Sequence, residues 1–200
     1  MIFHIDSQNK TASEEVSWHL KQCILRHPYS WSELVFLCIG SDKITGDCLG
    51  PYIGQQLKNH SIQNVYVYGT LKKPVHALNL DKAIRLIHKY HPQALIIAID
   101  ASLGQKKHLG YVTIGNGALY PGAGVQKNLP PVGDIYITGI VNTSGMMEQF
   151  TLQTTSLATV ISLADTITQG ILLLICKHLR HQDHISQEER LQNQILQTHH

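Results

Sequence analysis

The sequence has little charge. Only 15% of its 200 residues are Asp, Glu, Lys or Arg, and 16 basic against 14 acidic side chains leave a formal net charge of +2. So weak a bias gives nucleic acid or an anionic membrane surface no electrostatic footing. Aromatic residues are few, at 6%, yet 43% of the chain is hydrophobic, enough for a real core and incompatible with intrinsic disorder. The four cysteines, Cys23, Cys38, Cys48 and Cys176, form no CxxC pair. That argues against a disulfide framework and suits a reducing compartment. Cys38 and Cys176 lie in apolar runs and read as small buried hydrophobes. The N-terminal MIFHIDSQNK lacks the basic and apolar regions of a signal peptide. The unbroken apolar runs, such as Ile171 to Cys176, fall far short of the roughly 20 residues a membrane-spanning helix needs. A soluble chain of the cytoplasm is the expectation.

What is present is an alternation. Residues 11–27 read as a helix, with Thr11 and Glu14 at capping-box spacing and Val16, Leu20 and Ile24 on one face. Residues 33–39 are a continuous apolar run, as in a strand buried on both faces. A Gly-punctuated loop from Gly40 to Gly50 leads into a helix with Pro51 in its first turn, running to about Asn59. Residues 65–68 are a short β-rich stretch, 79–90 an amphipathic helix, and 94–99 a second apolar strand ending in Asp100. Residues 110–115 and 134–141 are two further strands, with a long Gly- and Pro-rich loop between them. Residues 154–179 read as a long apolar helix. Its Asp165, Thr166, Thr168 and Gln169 suit packing against a core rather than lipid. Residues 1–180 make one domain, and 181–200 a polar tail rich in Gln and His. Strands alternating with helices build a mostly parallel sheet covered on both faces. Sites in such sheets gather outside the carboxyl ends of the strands.

Three segments carry candidate chemistry. In the first, Asp47 stands near a helix N-terminus, whose partial positive charge favours the ionised carboxylate. A plain helix cap is the competing role. In the second, Asp100 follows six apolar residues. It is costly to bury without a partner, so it should emerge at the strand's end. An Asx turn is the competing role there. The first and third strands of a doubly wound unit can be neighbours, which would set Asp47 and Asp100 across one crevice. Two close carboxylates push their pKa values apart, so that one serves as base and the other as acid, or both grip a divalent cation through oxygen. The third segment, Asn116 to Val125, has glycines that allow close backbone approach. It reads as the wall of a peptide groove, an oxyanion site or a plain loop. The spacing of His178, His181 and His184 does not match the HxxxH expected of zinc ligands on a helix. Cys48 beside Asp47 should have a raised pKa, the opposite of a thiolate nucleophile. Walker, Rossmann and Gly-x-Ser-x-Gly patterns are absent.

Together these segments resemble the germination-protease-like family of endospore-forming bacteria, over roughly residues 33–170. The family's Thr-x-Asp-x-Leu-Gly-Pro stretch is matched by Thr45-Gly46-Asp47-Cys48-Leu49-Gly50-Pro51. Its Ile-Asp-Ala strand end is matched by Ile99-Asp100-Ala101, and its Pro-Gly-[Ser/Ala]-Gly-Val loop by Pro121-Gly122-Ala123-Gly124-Val125. The resemblance implies a phosphorylase/hydrolase-like three-layer αβα sandwich, shared with the hydrogenase maturation endopeptidases. It also implies catalytic roles for Asp47 and Asp100. Ser41, Thr45, Tyr120, Gly122 and Gly124 are the expected substrate-binding residues. A His that the family places before the Pro-Gly loop is Tyr120 here, and tyrosine, with a pKa of about 10, is no base near neutral pH.

Three functions stay open at this point. One is a peptidase-like hydrolase of the sporulation programme acting on a peptide or small protein. The second is a protein of the same fold that binds such a partner without cutting it. The third is a divalent-metal site at Asp47 and Asp100. No further cofactor is expected, and homo-oligomerisation is left open.

Overall fold

The computed structural model describes residues 1–122, 129–145 and 147–176. Its centre is a six-stranded sheet in the order β1-β5-β6-β4-β2-β3. The strands are β1 (Ile2–Asp6), β2 (Glu33–Cys38), β3 (Val65–Tyr68), β4 (Ala94–Gly104), β5 (Tyr111–Asn116) and β6 (Ile135–Thr143). The pairs β2–β3, β2–β4 and β4–β6 are parallel, and β5 runs antiparallel to both β1 and β6. The mostly parallel α/β architecture expected from the alternation is therefore present. β2 and β4 are direct neighbours, with Cys38 opposite Ile99.

The helices are α1 (Ala12–Leu25), α2 (Leu49–Lys58), α3 (Leu80–Tyr90), α4 (Glu148–Gln153) and α5 (Leu157–Cys176), and a short 3-10 turn, Thr45–Cys48, precedes α2. Period-two alternation along the central strands divides the core in two. Leu34, Phe36, Cys38, Leu95, Ile97 and Ile99 face one cluster, which is closed by α1, α2 and α5. Val35, Leu37, Ile39, Ile96 and Ala98 face the other, closed by α3 through Leu80, Ala83 and Ile87. Three layers result, helices on both sides of a sheet.

α5 passes a length and composition test for crossing a membrane, with a mean hydropathy of 1.7 over its richest window. Here its Val160, Leu163, Ala164, Ile167 and Ile171 are buried in the core. Its polar residues find protein partners. Gln56 of α2 donates to Asp165 (2.6 Å) and accepts from Thr168 (2.6 Å). Thr166 bonds back to Ser162, and Gln169 accepts from Ser13. Cys176 departs from expectation, because it is exposed. Helical spacing turns Ile171, Leu174 and Ile175 inward and leaves the next residue on the opposite face. Cys38 is buried as expected.

The sequence reading missed β1 and α4. It started α5 three residues early. It also ended β4 at Asp100, whereas the strand continues to Gly104 with a register shift between Ser102 and Leu103. Residues 177–179 of the expected helix, the 181–200 tail and its three regularly spaced histidines lie outside the described residues.

Candidate active site

The loop after β2 is shaped by Gly40, whose φ of +139° is closed to most side chains. A Cβ there would collide with the carbonyl of Asp47. The loop folds back so that the Ser41 N–H donates to that same carbonyl (3.0 Å), while the Asp47 N–H donates to Ile44 (3.0 Å). Gly40 donates its own N–H to Val75 (2.8 Å), binding a second loop, the one before α3, to the first. Gly46 lies against Leu152 and Thr155 with no room for a side chain, which presses the 3-10 turn against α4 and the residues just beyond it. Asn142 of β6 holds this end in place by donating to Thr151 and Thr155 (3.1 and 3.2 Å).

These contacts enclose a cavity of about 210 Å³ at the carboxyl edge of β2 and β4. Asp47 and Asp100 both line it, with His76, Ser102, Gly122, Gln149 and aliphatic walls from Ile44, Leu78, Leu103 and Leu152. Asp100 is paired with Thr138 inside the sheet and is 8% exposed. It does not emerge from the strand end. The strand carries it into the floor of the cavity. The single hydrogen bond to its carboxylate among those resolved comes from the Ala101 N–H (2.8 Å).

Both carboxyls are harder to ionise than usual. Burial raises Asp47 from 3.8 to about 6, against a smaller opposing effect of the Ser41 N–H. Asp47 does not cap α2, and desolvation outweighs the helix-terminus field that favoured its ionised form in the sequence reading. Asp100 is raised well above the ordinary value, first by burial and then by the charge of Asp47. The asymmetry has a physical order. Asp47 ionises while Asp100 is neutral, and Asp100 must then ionise beside an existing anion. Cys48 is likewise raised, by burial and then by Asp47, as expected for an inert thiol.

Of the expected substrate-binding residues, Gly122 lines the cavity. Ser41 and Thr45 build the loop that presents Asp47 but do not line the cavity themselves. Tyr120 is 78% exposed and lies outside the lining. Gly124 falls among residues 123–128, outside the described residues. His76 is a group the sequence reading passed over. It sits just before α3 in a reciprocal cap: its N–H donates to Asn79 Oδ1 (2.8 Å), and its Nδ1 accepts from the Leu78 N–H (3.3 Å). The one sequence signal for it was the His-x-x-Asn spacing, in a stretch with no helical or strand period. As to a metal, the carboxylates offer oxygen ligands. Among the described residues, however, no three His, Cys, Asp or Glu side chains converge tightly enough to hold an ion.

The fold and this cavity define a three-layer α/β protein with a carboxylate pair at the carboxyl edge of its sheet. The chain belongs to the family described as "Protein of unknown function (DUF1256)", whose model matches residues 4–170 and so spans every segment of the site. It is 51% identical over 140 residues to "Uncharacterized protein YyaC" of Bacillus subtilis (strain 168), covering 70% of this chain and 68% of that one. Among solved structures, the [NiFe] hydrogenase maturation protease HycI from Thermococcus kodakarensis KOD1 aligns with 76% of this chain and 97% of its own, at a TM-score of 0.42 and 15% identity.

Proposed function

We propose that the protein is a peptidase-like hydrolase of the sporulation programme, acting in the cytoplasm on a peptide or small protein. The observation that carries this reading is the pair Asp47 and Asp100 in one cavity, one carboxyl ionising near pH 6 and the other far more reluctantly. Groups held in opposite protonation states at one pH are what general base and general acid require. The Asp47 carboxylate takes a proton from water as the water oxygen bonds to the peptide carbonyl carbon. Neutral Asp100 gives its proton to the amide nitrogen as the C–N bond breaks. The proton on Asp47 then returns to Asp100, and one peptide bond plus one water has become an acid and an amine. Ligand pockets commonly run to ~300–1,000 Å³. A smaller cavity suits the scissile bond and one flanking aliphatic side chain, with the rest of the peptide outside.

The competing reading, partner binding without cleavage, keeps the same cavity and drops the proton transfers. A mass-spectrometric cleavage assay separates them. Purified protein is incubated with extract of sporulating cells, with and without divalent metal, beside Asp100→Asn. New peptides that disappear with the variant support the hydrolase. Identical peptide maps in every arm sink it.

A further inference from the structure

Hydrolysis by Asp47 and Asp100 leaves one atom unattended. As water adds, the carbonyl oxygen becomes an oxyanion, and neither acidic residue suits it: one is an anion holding the water, the other aims its proton at nitrogen. Such an oxygen needs a positioned, uncharged or cationic donor. The cavity lining offers three side chains with N–H or O–H groups, His76, Ser102 and Gln149. The Ser102 hydroxyl is directed to the Gly139 carbonyl (3.3 Å). Gln149 is exposed on α4, where a long side chain must lose rotamer freedom to act.

His76 differs from both. Its ring is pinned, because Nδ1 accepts from the Leu78 N–H, and the backbone that carries it is tied to the Asp47 loop through Gly40 and Val75. A neutral imidazole whose Nδ1 is an acceptor carries its proton on Nε2. No partner within the chain takes that Nε2–H among the described residues. Alternation along β4 sets Asp100 on the same face as Ile96 and Ala98, the face covered by α3, and His76 stands at the start of that helix. Among the described residues, Asp47, Asp100 and His76 do not converge as ion ligands would. They border the cavity with the substrate space among them.

On the hydrolase reading above, we propose that His76 is a third catalytic residue, its Nε2–H binding the carbonyl oxygen as it becomes negative. Asn is a good N-cap and its amide oxygen can take over the Nδ1 bond, so His76→Asn keeps the loop and removes the donor. Gln reaches further and places an amide N–H near the position of Nε2. The test uses a peptide that the full-length wild type cuts in the extract assay, with steady-state kinetics, thermal melting and a pH profile. The expected result is a His76→Asn variant that melts with the wild type and loses ~100–1,000-fold in kcat with KM little changed. Its acidic pH limb stays near that of the wild type, because Asp47 still sets it, and His76→Gln recovers part of the rate. Wild-type kcat in His76→Asn overturns the role of His76 and leaves the carboxylate pair standing. Loss of folding in both variants assigns His76 to its cap alone and also overturns it. A wild type that cuts nothing defeats the carboxylate reading, and His76 falls with it.

Discussion

Two polar clusters lie at opposite edges of the sheet, and they are built on opposite terms. At the amino edge, Glu33 opens β2 and His91 follows α3. The His91 Nδ1 meets Glu33 (3.0 Å), its Nε2 meets the Tyr68 hydroxyl (3.1 Å), and its ring packs on Tyr66 with centroids 4.0 Å apart. Nearby, the carboxylate of Asp134 accepts from the Ile96 N–H (2.9 Å). Every ring nitrogen there has a partner in the chain. At the carboxyl edge, Asp47 and Asp100 face a cavity, and among the described residues the His76 Nε2–H has no partner. Buried polar groups are normally satisfied, and those left short need a reason. The first cluster spends its polar groups within the chain, whereas the second has bonding capacity that the substrate of the proposed hydrolase would use.

The comparison is broken most severely by Asp100→Asn. It should lower cleavage ~100–10,000-fold, the usual worth of a general acid, while leaving the fold intact, as rate and circular dichroism together will tell. Next comes Gly40→Ala. It forces a side chain into the Asp47 carbonyl at a positive φ, so urea unfolding should register a loss of about 2–4 kcal/mol, and cleavage should fall as well. His91→Ala does the reverse. It strands Glu33 and Tyr68 and should cost ~1–3 kcal/mol by the same measurement with the cleavage rate unchanged.

The smallest effect is a gain. The folded protein keeps the Asp47 proton up to about pH 6, while an unperturbed aspartate releases it near 3.8. Folding therefore takes up a proton between those values, and wild-type stability falls as pH rises through them. Asp47→Asn lacks that loss. It should be the more stable protein at pH 7, by on the order of 1–3 kcal/mol, with the advantage gone below pH 4. Thermal melts across pH check this. The same pKa predicts a cleavage rate that climbs as pH passes 6.

Only the carboxyl-edge half of this contrast was legible in the chain itself. The apolar runs of β2 and β4 read as buried strands, and the loop and strand carrying Asp47 and Asp100 read as neighbours, because continuous hydrophobicity and strand alternation are local signals. Other features depend on distant partners. β1 has a single buried residue, Ile5, and exists because β5 pairs with it. A charged residue after six apolar ones reads as a strand's end, yet β6 carries the ladder past Asp100 to Gly104. α4 has only six residues, too few for a periodic signature. His76 left only the His-x-x-Asn spacing, because what brings it to the cavity is the pairing of Ile39 and Gly40 with Val75, far apart in sequence.

The extension of β4 beyond Asp100 also separates two clocks. The floor of the cavity is the stretch of β4 past Ile99, where β2 has ended and β6 alone continues the ladder, so its β6-bonded amides should exchange with deuterium slowly. α4, by contrast, is a six-residue helix whose N-terminus has no side-chain cap. Its amides should exchange sooner than those of β4. On the hydrolase proposed above, changes in α4 would alter the wall of the cavity and changes in β4 the placing of Asp100.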